Sequence, residues 1–149
     1  QNGFHCAEDP LDCLTYYSNI RQAEYYIVNA GGDMDEDGED TKISCTELTI
    51  LKRLTKEELF LHGLAFMADH PLREWSRHVA KDRAEASAGY AVVRGTDPAA
   101  RGSAGDILAF AKEDPVSGRI LQIALAQVDG RKIFPNVWYG ADLTERQVA

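Results

Sequence analysis

The hydrophobic pattern of the first third of the chain favours a helix. Asp9-Pro10 is a typical helix start, because proline at the first helical position loses no hydrogen bond. Residues at three- and four-residue spacing then follow, at Cys13, Tyr17, Ile20, Glu24 and Ile27. Gly31-Gly32 supplies the left-handed cap that ends helices. The pattern predicts a first helix from about residue 10 to 29.

Three further helices are predicted before residue 88. The segments 44–47 and 55–58 both match the capping box, and each precedes leucines at helical spacing. Asp69-His70-Pro71 then interrupts the chain, and Leu72, Trp75 and Val79 mark one face of a fourth helix. Residues 1–87 are therefore expected to be mainly helical.

From residue 88 the pattern changes to short runs typical of strands, over 90–94, 106–112, 119–128 and 131–139. Asp129-Gly130 favours a tight hairpin between the last two runs. The run 119–128 is apolar on both faces, which predicts a central strand. Pro135 places the last run at an edge.

These elements predict an α+β fold, with about four N-terminal helices packed on a C-terminal antiparallel β-meander. A length of 149 residues fits a single domain over 1–149, mainly helical over 1–87, mainly β over 88–140, with a tail over 141–149.

The charge distribution points to one segment. The formal net charge is −8, which argues against a nucleic-acid partner because phosphates require a basic surplus. No apolar run approaches the roughly 20 residues of a membrane span. Six carboxylates lie within eight positions, at Asp33, Asp35, Glu36, Asp37, Glu39 and Asp40. We expect these six to form a solvated loop that contacts a basic protein partner.

The same loop has an alternative interpretation as a calcium site. Alternating carboxylates followed by glycine open the loop of an EF-hand, where hard oxygen ligands surround the ion. The candidate ligands are Asp33, Asp35, Asp37 and Glu47. Otherwise the sequence predicts no cofactor.

No motif of a known hydrolase, phosphate-binding loop or dinucleotide fold is present, so no catalytic residue is assigned. A pocket between helices and sheet, with His62 or His78 projecting into it, remains an alternative. Arg94 and Arg101 flank a Gly/Ala-rich stretch and are candidates for holding an anion.

The cysteines bear on the compartment. Cys6, Cys13 and Cys45 form no C-x-x-C pair, which disfavours a metal cluster. In an exported chain one disulfide would join Cys6 to Cys13, or one of these to Cys45. The alternative is three reduced thiols in a cytoplasmic protein. A periplasmic or secreted location is the favoured prediction.

Residues 1–87 resemble the exported immunity proteins that neutralise type VI secretion amidase effectors. The resemblance lies in Cys6, the segments 13–17 and 43–45 that open helices, and Asp69-His70-Pro71. It implies a non-enzymatic inhibitor whose helices are stapled by disulfides. The order of helices before a meander is also similar to the cone-shaped SnoaL-like fold, which hosts both enzymes and binding proteins.

The leading hypothesis is therefore an exported, non-enzymatic protein that uses the acidic loop to block a protein partner, such as a secreted effector. The alternatives are a SnoaL-like small-molecule-binding or enzymatic domain, and a calcium-responsive module.

Overall fold

The computed structural model describes residues 3–36 and 40–148. Over these residues the protein is mainly β, with eight strands, one 3₁₀ helix and one α-helix. In chain order the elements are β1 (Phe4–Ala7), the 3₁₀ helix (Pro10–Thr15), β2 (Tyr25–Glu36), β3 (Lys42–Leu54), α1 (Lys56–Asp69), β4 (Val79–Glu85), β5 (Tyr90–Arg101), β6 (Ile107–Glu113), β7 (Ile120–Gln127) and β8 (Tyr139–Gly140).

The predicted fold of four helices on an antiparallel meander is wrong. Among the predicted helices only α1 is present as an α-helix, and its capping box between Thr55 and Glu58 is confirmed. Asp9-Pro10 starts no more than a 3₁₀ helix. In the rest of the predicted first helix, residues 16–24 are irregular and residues 25–29 belong to β2. The predicted second helix lies in β3, and in both strands aromatic and β-branched residues favour extended backbone. Residues 70–78 are irregular rather than helical.

β1, β2 and β3 form an antiparallel sheet in the order β1-β3-β2. β1 pairs only with the start of β3, whereas β2 pairs along the whole of it. Two irregularities interrupt the pairing of β2 with β3, one beside Leu51 and one between Gly31 and Met34. The result is a long hairpin, and its described carboxylates Asp33, Asp35, Glu36 and Asp40 lie at the end where β2 leads towards β3.

The second sheet has the order β4-β5-β6-β7, with β8 beside β5. β4, β5 and β6 are parallel although short segments connect them. This is possible because the strands bend: Asp82 has φ of 66°, and β4 pairs with β5 on both sides of this corner. Val79 pairs with Val92, and Val92 pairs with Ala109. The chain therefore makes one circuit between successive parallel strands and returns each time to the same level of the sheet.

Hydrophobic clusters cover both faces of this second sheet. One cluster joins the 3₁₀ helix and α1 to the sheet through residues such as Leu11, Phe60 and Val92. The other lies on the opposite face and includes Phe110 and Tyr139. All five residues from 107 to 111 are 0% exposed, which makes β6 the central strand.

Two predictions about the C-terminal strands are also wrong. The run 119–128 forms β7 at an edge of the sheet, where Leu121 is 63% exposed. Only β8 forms in the region 131–139. The Asp129 carboxylate accepts the N–H groups of residues 131, 132 and 133, so the chain continues as a capped loop instead of a hairpin.

Candidate functional site

Four of the six carboxylates singled out in the sequence lie at the end of the hairpin where β2 leads towards β3. Asp33, Asp35 and Glu36 are exposed on the last part of β2, and Asp40 precedes β3. Asp37 and Glu39 lie outside the described residues. The segment from residue 33 was expected to be a loop, but its first residues belong to β2. The backbone of β2 therefore sets the positions of the side chains of Asp33, Asp35 and Glu36.

Thr41 anchors this end of the hairpin to the 3₁₀ helix. The Asp12 Oδ2 atom accepts from the Thr41 backbone N–H at 3.0 Å and from its hydroxyl at 2.7 Å. The Asp9 backbone N–H donates to Thr41 Oγ1 at 2.7 Å. Asp9 Oδ1 in turn accepts from the Leu11 N–H at 3.0 Å and caps the helix. Asp9 and Asp12 are each only 5% exposed.

Sequence reasoning identified Asp9 only as a helix cap and did not single out Asp12. The spacing Asp9-x-x-Asp12 at a predicted helix start was the available signal, since both carboxylates fall on the first turn. What the sequence does not reveal is that Thr41, 29 residues further on, folds against them.

Asp40 is held by its own neighbours at the hairpin end. Its Oδ2 atom accepts from the Tyr16 hydroxyl at 3.0 Å, and its Oδ1 atom from the Lys42 N–H at 2.8 Å. The Lys42 ammonium lies 4.8 Å from the centroid of the Tyr16 ring. Asp40 is therefore held both by Lys42 beside it and by Tyr16 at the end of the 3₁₀ helix.

A polar cavity of about 520 Å³ opens beside this end of the hairpin. The hairpin and the 3₁₀ helix supply the carboxylates of one wall, and α1 and the segment after it supply aromatic and basic side chains. The lining residues are Asp9, Asp12, Asp40, Thr41, Phe66, Arg73, Glu74, Trp75, Ser76 and Arg77.

Arg94 holds the second wall in place. Its guanidinium is buried, pairs with Glu113 at 2.8 Å, and donates to the Pro71 and Gly118 carbonyls at 2.8 and 3.1 Å. It also lies 4.5 Å from the centre of the Trp75 ring. Arg94 is thus a structural residue and no anion ligand, and Arg101 pairs with Glu85 at 2.8 Å.

The electrostatics of the cavity centre on Asp9. Burial, the largest effect, and the Asp12 charge raise the pKa of Asp9 from 3.8 to about 6, although the Leu11 N–H and the positive charges of Arg73 and His70 oppose this. Arg73 is itself paired with Glu8 at 2.7 Å. A positive group near Asp9 would favour the ionised form of its carboxylate, and a negative group would oppose it.

Of the two histidines considered for a pocket, His62 is exposed on α1. His78 is half-buried; its Nε2 lies 2.9 Å from Thr15 Oγ1 and its Nδ1 3.2 Å from the Tyr90 hydroxyl. Burial, followed by the Arg77 charge, lowers the pKa of His78. These contacts place His78 between the 3₁₀ helix and β5.

The predicted disulfide is not observed, since Cys6, Cys13 and Cys45 are all free thiols. Burial is the largest cause of the rise in the pKa of Cys13 to about 11, and nearby Asp12 adds to it. A thiol with so high a pKa is a poor nucleophile at neutral pH. The calcium candidates Asp33, Asp35 and Glu47 form no metal site among the described residues; the fourth candidate, Asp37, lies outside them.

Comparison with known proteins gives one match, which covers the N-terminal part of the chain. Residues 1–62 match a family model described as "Domain of unknown function (DUF7666)". No curated protein and no solved structure matches the chain. The matched residues include the hairpin, the 3₁₀ helix and the first half of α1, and so one wall of the cavity. In the part of the chain that is described, no helix has the length and apolarity needed to cross a membrane.

Proposed function

We propose that the protein is a non-catalytic binding protein that engages a basic segment of a protein partner through the acidic end of the hairpin and the adjoining cavity. The observation that supports this most directly is the anchoring of that end. Thr41 ties it to the buried Asp9 and Asp12, so the exposed carboxylates are presented from a fixed support.

Apolar side chains are available at the same end to supply affinity. Met34 is 54% exposed between Asp33 and Asp35, and Tyr16, whose hydroxyl donates to Asp40, is 49% exposed. Tyrosine and methionine beside charged groups are typical of protein interfaces, where a few anchors carry most of the binding energy. The carboxylates would speed association with a basic surface and select against acidic ones.

The finer form of this proposal is the one the sequence suggested: an exported protein that blocks a secreted effector by covering its basic cleft. A basic side chain of the partner would enter the cavity between Asp9 and Trp75. No step of chemistry is required of this protein.

The test compares two variants that remove the same charge. Asp33→Asn, Asp35→Asn and Glu36→Gln together neutralise the three exposed carboxylates in the last part of β2. Glu57→Gln, Asp69→Asn and Glu145→Gln neutralise three carboxylates elsewhere. Each variant and the unaltered chain would be used to capture partners from lysate and secreted fractions, and association rates with the captured protein would then be measured at several salt concentrations.

We expect a stoichiometric partner whose association is slowed only by the hairpin variant, with a flatter salt dependence. Equal rates for all three proteins would show that the hairpin end is not the binding surface. Capture that requires added calcium would favour the metal interpretation instead.

A second candidate is binding of a small cationic molecule in the cavity, and the raised pKa of Asp9 is the observation that favours it. The same experiment distinguishes the two, because recovery of no partner protein would favour the small molecule.

A further inference from the structure

Within the described part of the chain, residues 46–53 of β3 have a strand partner on one side only. β1 pairs with residues 42–45 of β3 and begins at Phe4, while β2 occupies the other side of β3 along its length. Among the described residues, no strand lies beside residues 46–53 on the β1 side. The backbone N–H and C=O groups there form a template to which another strand can add.

The irregularity at Leu51 decides which side chains share a face along this edge. Ile50 pairs with Val28 and Lys52 with Ile27, so Leu51 is the extra residue of a bulge. In the alternation set by β2, Glu47, Thr49 and Lys52 point to one side of the sheet. Leu48 and Ile50 point to the other.

We propose that two copies of the chain join through this edge, with their β3 strands antiparallel around a two-fold axis at Thr49. Thr49 then faces Thr49 of the second copy, and Leu48 faces Ile50 of the second copy. Past the bulge, Glu47 faces Lys52 of the second copy. Because directly opposed residues of antiparallel strands lie on the same side, the face pattern of β3 permits each of these pairs.

The occupant is a second copy because the edge is complementary to itself. Reversal of the strand brings the carboxylate of Glu47 opposite the ammonium of Lys52, and two-fold symmetry forms this pair twice. Lys52 already contacts Glu58 at 2.7 Å and keeps 57% of its side chain exposed, so it can accept a second carboxylate. Ile50 is 60% exposed and would lose water contact.

The outer edge of β2 lacks this property. Its carboxylates Asp33, Asp35 and Glu36 lie at one end, and the first residues of β2 are Tyr25, Tyr26 and Ile27. Reversal of β2 would therefore not bring opposite charges together. The proposal concerns β3 alone and is independent of the partner binding proposed above.

The test exchanges the charges of the proposed pair. Glu47→Lys and Lys52→Glu each place like charges opposite one another, whereas the double variant E47K/K52E restores opposite charges. Lys81→Glu makes the same charge change on an exposed position of β4 and serves as the control. Sedimentation velocity over a concentration series would give the dimer dissociation constant, and circular dichroism would confirm that each variant is folded.

We expect the unaltered chain and K81E to dimerise equally well. Each single variant should weaken the dimer by about tenfold or more, since two like-charge pairs replace two favourable ones. The double variant should recover most of the loss. A chain that stays monomeric up to millimolar concentration, or a dimer unaffected by E47K, would overturn the proposal. Because E47K leaves the contact of Lys52 with Glu58 intact, its effect is not confused with a loss of folding.

Discussion

Asp9 is a carboxylate held where ionisation is costly. It is almost fully buried, it lies beside Asp12, and its Oδ1 atom caps the 3₁₀ helix. The capping role was predictable from Asp9-Pro10. The burial was not, because it depends on a strand that the helical spacing of Tyr17, Ile20 and Ile27 had concealed.

The raised pKa of Asp9 gives the stability a specific pH dependence. The folded state binds the proton up to about pH 6, whereas the unfolded chain releases it near 3.8. Between these values the folded state holds more protons, so the free energy of unfolding falls as pH rises. Above pH 6, Asp9 therefore contributes up to about 3 kcal/mol less to the free energy of unfolding than it does at low pH.

Asp9→Asn should remove this contribution while retaining a good helix cap. We would measure urea unfolding of both proteins from pH 4 to 7, so that other titrating groups, including His78, cancel in the comparison. The variant should gain stability relative to the unaltered chain as pH rises. A difference that does not change with pH would show that Asp9 keeps an ordinary pKa.

Among the elements, α1 and the 3₁₀ helix depend on one close approach. A Cβ atom on Gly63 would lie 2.7 Å from both Cγ and Cδ2 of Leu11, whose side chain is 1% exposed. Gly63→Ala should therefore destabilise the protein by about 1–3 kcal/mol, because overpacking exceeds the gain in helix propensity.

The control for this prediction is the same substitution in a Leu11→Ala background. With the Leu11 side chain shortened, the alanine at position 63 has room, and its cost should shrink or become a gain. Chemical denaturation of the four proteins would give the coupling. An equal cost in both backgrounds would mean that the helices do not meet at these residues.

The elements also show which sequence signals can be trusted. In α1 the capping box and the spacing of Leu59, Phe60 and Leu64 describe the same helix, and the structure contains it. In β3 the matching signals were misleading. Leu48, Leu51 and Leu54 have the three-residue spacing of a helix, but they do not share a face of β3. Leu48 pairs with Ala30 and Leu54 with Tyr25, which point to opposite sides of the sheet, and Leu51 is the extra residue of the bulge. Thr46, Thr49 and Ile50 were the contrary signal.

For the whole molecule, the two sheets should differ in local stability. Residues 107–111 of β6 are covered on both faces, whereas no residue from Tyr26 to Glu36 of β2 is buried. Native-state hydrogen exchange should find the slowest amides in β6 and markedly faster exchange along β2. Equal protection of the two strands would mean that the hairpin opens only with global unfolding.

The candidate site was only partly predictable at this scale. Local composition located the acidic end of the hairpin, including Asp33, Asp35, Glu36 and Asp40. The cavity beside it requires Asp9 and Asp12 to meet Arg73 and Trp75, which are more than 60 residues away. Such long-range contacts follow from sheet topology, and a helical interpretation of the first half excluded that topology.

The Thr41 anchor also bears on the order in which the molecule folds. Successive circuits of the second sheet join residues that are near in sequence, such as Val79 and Val92. The anchor instead closes a longer loop, because Thr41 and Asp12 are 29 residues apart, and closing a longer loop costs more chain entropy. The cavity wall should therefore assemble late, on a sheet that is already formed.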